Sequence, residues 1–141
     1  MKNIEIMPNK YPLSSGIPCV KHKCSLCCVK TEMPLSRSDM RRILKLGYNL
    51  KDFAVKTEEG WQLKNDSGKC VFLSEEGCEI YPYRPEGCRL YPLVYDETLK
   101  AVKFDDICPY NDEFKVTEDD IQRLINLLIQ LEKEMKEKDT P

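Results

Sequence analysis

"KCSLCCVK", Lys23–Lys30, places Cys24, Cys27 and Cys28 within five residues. Cys19 lies just upstream, with the chain's only histidine, His22, between them. Cys70, Cys78, Cys88 and Cys108 are spread over the second half. What this knot does decides the fold. A chain of 141 residues that is 41% hydrophobic and 33% charged makes one domain with a modest core, to which metal or disulfide cross-links add stability.

Three chemistries compete for the thiols. Eight is an even number, and small domains are often held by disulfides. Against this, "MKNIEIMPNKYPL" has no apolar signal segment, and no apolar run is long enough to cross a bilayer. The expected address is the cytoplasm, where thiols stay reduced. The adjacent Cys27 and Cys28 also diverge, in poor geometry for pairing with each other, although each can pair elsewhere. Burial as small hydrophobes accounts for one or two cysteines, not for four within ten positions. Metal ligation accounts for most. Cys24-x2-Cys27 lets both sulfurs turn onto one centre, as in zinc knuckles and iron–sulfur loops. Four thiolates complete a tetrahedral zinc or hold one 4Fe–4S cluster, so eight serve two sites or one cluster with spare ligands. Such soft donors exclude magnesium and calcium. Two consecutive thiols that point apart can serve two ligand sets, or one ligates while the other packs.

Working outward, the reading is an α+β, small irregular, metal-stapled domain: short helices after the knot, one or two β-hairpins and a long C-terminal helix. Residues 1–18, punctuated by Pro8, Pro12, Gly16 and Pro18, form an irregular segment. Residues 19–111 form the cysteine-cluster domain, and residues 112–141 a helix packing on it. "PLSRSDMRRILKLG" reads as a helix capped by Ser36, with Asp39 three residues on, Met40, Ile43 and Leu44 as its apolar stripe and Gly47 as its stop. "NLKDFAVKT" reads as a second short helix. "WQLKNDSGKCVFL" reads as a hairpin turning at "NDSG", and "LVYDETLKAVKF" as another around Asp96 to Leu99. The prolines and glycines between Gly77 and Pro92 argue for loops. Thr117 caps the last helix, whose seam is Ile121, Leu124, Leu128, Leu131 and Met135. That seam packs on its own domain or supports self-association.

The second half is specific. "GKCVFLSEEGCEIYPYRPEGCRLYPLVY", taken with "CSLCC" and "ICP", resembles the YkgJ-like cysteine-cluster family, described as zinc- or iron-chelating. The elements that match are Cys24, Cys27 and Cys28; Ser36 and Asp39; Gly68, Cys70, Phe72 and Leu73; Cys78, Ile80 and Tyr81; Arg84, Pro85, Cys88, Arg89, Tyr91 and Pro92; and Cys108 with Pro109. The resemblance covers residues 19–110 and implies that Cys19, Cys24, Cys27, Cys28, Cys70, Cys78, Cys88 and Cys108 are the ligands. Cys19 departs from the pattern, with four residues between it and Cys24 where the family usually has two. His22 lies in that longer loop, either as a substitute nitrogen ligand or simply solvated between two lysines.

Arg84 and Arg89 flank Cys88. They can donate hydrogen bonds to sulfur and offset the charge of a four-thiolate centre, or Arg84 can pair with Glu79 or Glu86. Tyr81, Tyr83, Tyr91 and Tyr95, with Phe72, shield the centre or simply make up the core. Residues 1–64 carry 12 Lys+Arg against 6 Asp+Glu. No aromatic-basic pattern accompanies that charge, so nucleic acid is a poor partner and a solvated face the better reading.

Three functions follow. The first is an iron–sulfur (4Fe–4S) protein for electron transfer, redox sensing or binding of a protein partner. The second is a zinc-stapled interaction module, with Arg37, Arg41, Arg42 and Lys45 or the C-terminal seam as its surface. The third is inherited from resemblance alone: the family's cysteine domain looks like part of flagellin lysine methylases, which use S-adenosylmethionine. This chain shows no glycine-rich nucleotide fingerprint and no Ser-His-Asp or Cys-His pairing, so it is read as a binding protein more than an enzyme.

Overall fold

The computed structural model describes residues 10–137. In chain order the elements are β1 (Tyr11–Pro12), α1 (Ile17–Lys21), α2 (Arg37–Leu44), α3 (Leu50–Phe53), β2 (Ala54–Thr57), β3 (Gly60–Leu63), β4 (Asn65–Asp66), β5 (Lys69–Cys70), β6 (Leu73–Ser74), β7 (Gly77–Cys78), α4 (Glu86–Leu90), β8 (Leu93–Asp96), β9 (Ala101–Phe104), β10 (Phe114–Lys115) and α5 (Glu118–Glu137). The architecture is α+β. The strands pair two by two, four times as antiparallel hairpins and once as the parallel pair β1–β10. Of the segment expected to be irregular, residues 1–9 lie outside the described residues. Residues 10–18 hold β1, a 3₁₀ turn at Leu13–Ser15 and the start of α1.

The two capped helices form where the caps stand. Ser36 Oγ accepts from the Asp39 amide and Asp39 Oδ2 accepts from the Ser36 amide, both at 3.1 Å, which closes a capping box on α2. Thr117 and Asp120 close the same box on α5 at 3.1 and 3.0 Å. Gly47 follows α2 at φ +105°, in the left-handed region that ends helices. The two helices are also tied together: the Arg37 amide donates to Glu134 at 2.8 Å and the Arg37 guanidinium meets Glu137 at 2.6 Å.

Two sequence expectations are corrected. "NLKDFAVKT" is helical only to Phe53. Ala54–Thr57 is a strand, because its β-branched Val55 and Thr57 suit a pleat and Thr57 closes a turn onto the Gly60 carbonyl at 2.9 Å. Trp61–Leu63 therefore pairs with residues 54–57 and not with 70–73. The turn at "NDSG" still forms, as the short β4–β5 hairpin with Ser67 and Gly68 at φ +56° and +82°. Between Gly77 and Pro92, where loops were expected, α4 occupies one turn. The hairpin around Asp96–Leu99 stands as read, with Leu93 opposite Phe104.

The apolar residues gather in two cores. The first joins Leu35, Met40, Ile43, Phe53, Leu63, Cys70, Phe72 and Ile80, with Cys28, Cys78 and Cys88 against it. The second joins Leu13, Leu90, Leu93, Cys108, Phe114, Leu124 and Leu127, with Cys19 against it. Leu124 and Leu127 are the buried positions of α5. Met135, read as part of the seam, is 44% exposed. Among the described residues no helix is long and apolar enough to cross a membrane.

Candidate metal centre

The knot is shaped by local backbone. Cys19 rides on α1, and the chain reverses through Lys23, whose φ of +52° is left-handed. The Cys24 amide then donates to the Cys19 carbonyl at 2.9 Å, closing the longer loop between them. A 3₁₀ turn over Leu26–Cys28 presents the adjacent thiols.

The later cysteines reach the knot by separate routes. Val29 bridges Lys69 in antiparallel fashion and the Lys30 amide donates to the Gly68 carbonyl at 2.7 Å, so Cys28 is carried beside Cys70. Cys78 sits opposite Leu73 in the β6–β7 hairpin, whose turn is held by Ser74 Oγ donating to the Gly77 carbonyl at 2.8 Å. Cys88 rides on α4. There the Glu86 amide donates to Asp39 Oδ1 at 3.0 Å, and Glu86 itself pairs with Arg123 at 2.8 Å. Gly87 lets α4 approach closely, because a Cβ there would overlap the Met33 sulfur. Cys108 lies in a turn in which its amide donates to the Asp105 carbonyl at 3.3 Å, and Tyr91 hydrogen-bonds the Asp105 carboxylate at 2.5 Å.

Six of the eight cysteines, Cys19, Cys27, Cys28, Cys70, Cys78 and Cys88, line one cavity of about 80 Å³. Cys24 and Cys108 stand off it. The rest of the wall includes Leu13, Phe72, Ile80, Tyr81, Tyr91 and Phe114, with Arg84 the one charged group. Among the described residues, no three His, Cys, Asp or Glu side chains come close enough together to share a single ion. The donor set itself suits a thiophilic metal, since the cavity wall carries six thiols and the Met33 thioether.

The thiols differ in acidity. Cys28 donates a hydrogen bond to Cys27, which, with smaller help from Arg84, lowers Cys27 to about 7 despite its burial. The same bond pushes Cys28 well up, reinforced by burial and by the neighbouring Cys27, Cys70 and Cys78 charges. Burial, then Cys27, Cys108 and Cys24, raise Cys19 to about 11. Burial also raises Cys70, Cys78 and Cys108, and Cys88 most of these. Ionisation is therefore favoured at Cys27, whose charge acts on Cys19, Cys28, Cys70, Cys78, Cys88 and Cys108.

The flanking residues divide. Arg84 faces the cavity, stacks 4.0 Å over the Tyr81 ring and donates to the Tyr81 and Ser14 carbonyls at 2.9 and 3.0 Å. It pairs with neither Glu79 nor Glu86 and acts on the sulfurs through its charge. Arg89 turns to the Pro82 carbonyl at 3.1 Å and is not on the wall. Tyr81, Tyr91 and Phe72 line the cavity, whereas Tyr83 and Tyr95 are 46% and 39% exposed. His22 stacks on Tyr110 with ring centroids 3.8 Å apart, and its Nε2 lies 2.8 Å from Glu113 Oε2, which engages the histidine away from the thiols.

Sequence reading missed two residues that shape the site. Gly16 is one: the Tyr81 hydroxyl occupies the space where a side chain would be. Its position among turn residues marked it as punctuation only. Asp39 was read as a cap. Its second task, receiving the Glu86 amide, joins segments 47 residues apart and leaves no local signal.

A family model named CxxCxxCC, described as "Putative zinc- or iron-chelating domain", matches residues 18–109. No curated protein and no solved structure matches the chain significantly.

Proposed function

Because the chain belongs to the CxxCxxCC family of zinc- or iron-chelating domains, we propose that its cysteines hold an iron–sulfur cluster of the 4Fe–4S kind, used for electron transfer, redox sensing or partner binding. One observation carries the choice of cluster over zinc. Four sulfurs about 2.3 Å from one zinc close tightly upon it and leave no room for even a water molecule. The cysteine-lined cavity is about 80 Å³. At ~10–15 Å³ per water position this is space for several, the scale of a polynuclear group and not of one ion. That, among the described residues, no three His, Cys, Asp or Glu side chains can share a single ion agrees with this.

The composition of the wall supports an electron-carrying or structural role for the group. The wall supplies thiols, apolar side chains, a threonine hydroxyl, two tyrosines and one guanidinium, with no carboxylate or imidazole to move a proton. When bound, a cluster supplies one-electron chemistry. The chain would hold it, screen it from water with Phe72, Ile80 and Leu13, and offset its negative charge with Arg84.

The test is anaerobic expression followed by iron, zinc and acid-labile sulfide analysis with the visible spectrum. Brown protein with iron and sulfide in equal amounts, about four of each per cluster, supports the proposal. Colourless protein containing zinc without sulfide replaces it with a zinc-stapled interaction module. Neither metal, with thiols oxidised in pairs, overturns both.

A further inference from the structure

The eight cysteines are not equivalent in the fold. Cys28, Cys70, Cys78 and Cys88 belong to the first apolar core, and Cys19 and Cys108 to the second. Different contacts stitch each group. The Val29–Lys69 bridge and the Lys30–Gly68 hydrogen bond bring Cys28 to Cys70. The β6–β7 hairpin returns Cys78 to that place, and the Asp39–Glu86 hydrogen bond holds the helix of Cys88 against α2.

The other group has its own clasp. The Cys24 amide bonds the Cys19 carbonyl. The loop between them is fastened to the segment after Cys108 twice: His22 stacks on Tyr110, and both Lys21 and His22 reach Glu113, at 3.2 and 2.8 Å. None of the clasp's four side chains belongs to the first core. The clasp's effect is to hold Cys19 and Cys24 beside Cys108. Cys27 completes this group, because the Cys24-x2-Cys27 spacing turns those two sulfurs onto one centre. Cys27 and Cys28 are then consecutive residues of different groups, their thiols meeting at the shared wall through the hydrogen bond between them.

We infer that the chain carries two thiolate centres divided at the Cys27–Cys28 peptide bond. Cys28, Cys70, Cys78 and Cys88 hold the first, in the cavity. Cys19, Cys24, Cys27 and Cys108 hold the second, with Cys19 and Cys27 forming the wall between them. Each set is four thiolates, the complement that holds one iron–sulfur cluster. The inference rests on the metal-binding reading above and goes beyond it in number and in ligand assignment.

Native mass spectrometry of the unaltered, anaerobically purified chain counts the centres first. Iron, zinc and sulfide analysis is then repeated on Cys88→Ser and Cys108→Ser. Two centres are expected in the unaltered chain. Each variant should lose one centre's complement and keep the other's, and Cys24→Ser should leave the same residue of metal as Cys108→Ser. A single centre in the unaltered chain overturns the division, whether or not the variants fold. So does the loss of all metal from both variants when circular dichroism shows them folded. Those two results leave the metal-binding reading standing, whereas a chain that takes no thiophilic metal removes both.

Discussion

Replacing Asp39 by alanine tests whether one buried carboxylate joins the capped helix to the helix that carries Cys88. Asp39 is 1% exposed and accepts three hydrogen bonds: from the Ser36 amide at 3.1 Å, from Arg42 Nη2 at 2.9 Å and from the Glu86 amide at 3.0 Å. The capping interaction is worth about 1 kcal/mol. The buried bond from the Glu86 amide to a charged acceptor adds about 2 kcal/mol. Arg42 is a third exposed, so its pairing adds only about 1 kcal/mol. The loss is therefore about 4 kcal/mol, a fall of roughly 10–15 °C in the midpoint for a chain of this size. Ser36→Ala removes the cap alone and should cost about 1 kcal/mol. Thermal unfolding followed by circular dichroism, on anaerobic preparations matched in metal content, separates the two. If Asp39→Ala costs no more than Ser36→Ala, the join to α4 contributes nothing and the reasoning fails.

Gly16→Ala should cost at least about 2 kcal/mol, since φ there is +64° and the new methyl would overlap the Tyr81 hydroxyl; a Tyr81→Ala background should recover the steric share and leave the backbone share. In metal-free, reduced protein, iodoacetamide labelling of Cys27 should rise through a midpoint near pH 7 while Cys19 stays protonated to about 11; mass spectrometry that finds every thiol labelled with one midpoint near that of a free cysteine refutes the ordering. The same form should lose stability as pH rises above ~8.5. Thiols in the unfolded chain ionise there, while Cys28, through its bond to Cys27, and Cys19 and Cys88, through burial, keep their protons in the fold. A denaturation midpoint that holds constant from pH 8 to 10.5 contradicts this.

Local chemistry made much of the fold legible. Ser36 with Asp39 and Thr117 with Asp120 announce helices because capping needs only residues three apart. Ser67-Gly68 announces a hairpin because few residues accept left-handed backbone. The failures share a cause. Val55 and Thr57 look compatible with continuing a helix, and only pairing with Gly60–Leu63 makes them a strand. The site shows the same boundary. That cysteines gather was readable from their number and spacing, and six of the eight line one cavity. Arg84 could be named, but whether it would meet sulfur, carboxylate or carbonyl depended on Ser14, 70 residues away. The engagement of His22 by Tyr110 and Glu113 is likewise invisible until the chain has folded.

The parallel pair β1–β10 sets a timetable for the nascent chain. Tyr11 has no strand partner until Phe114 has been made, and Leu13 shares its core with that same phenylalanine. At ~5–20 residues per second, roughly 5–20 s separate the two during translation. Through that interval the ribosome displays the thiols of Cys19 to Cys28 ahead of their counterparts, with only the first apolar core able to assemble around them. Cys108 is the last of the eight cysteines to emerge, six residues before the strand that fastens Tyr11–Pro12. Completion of the full set of eight thiols is thereby placed late, after the ribosome has delivered the segment that carries Cys108 and β10.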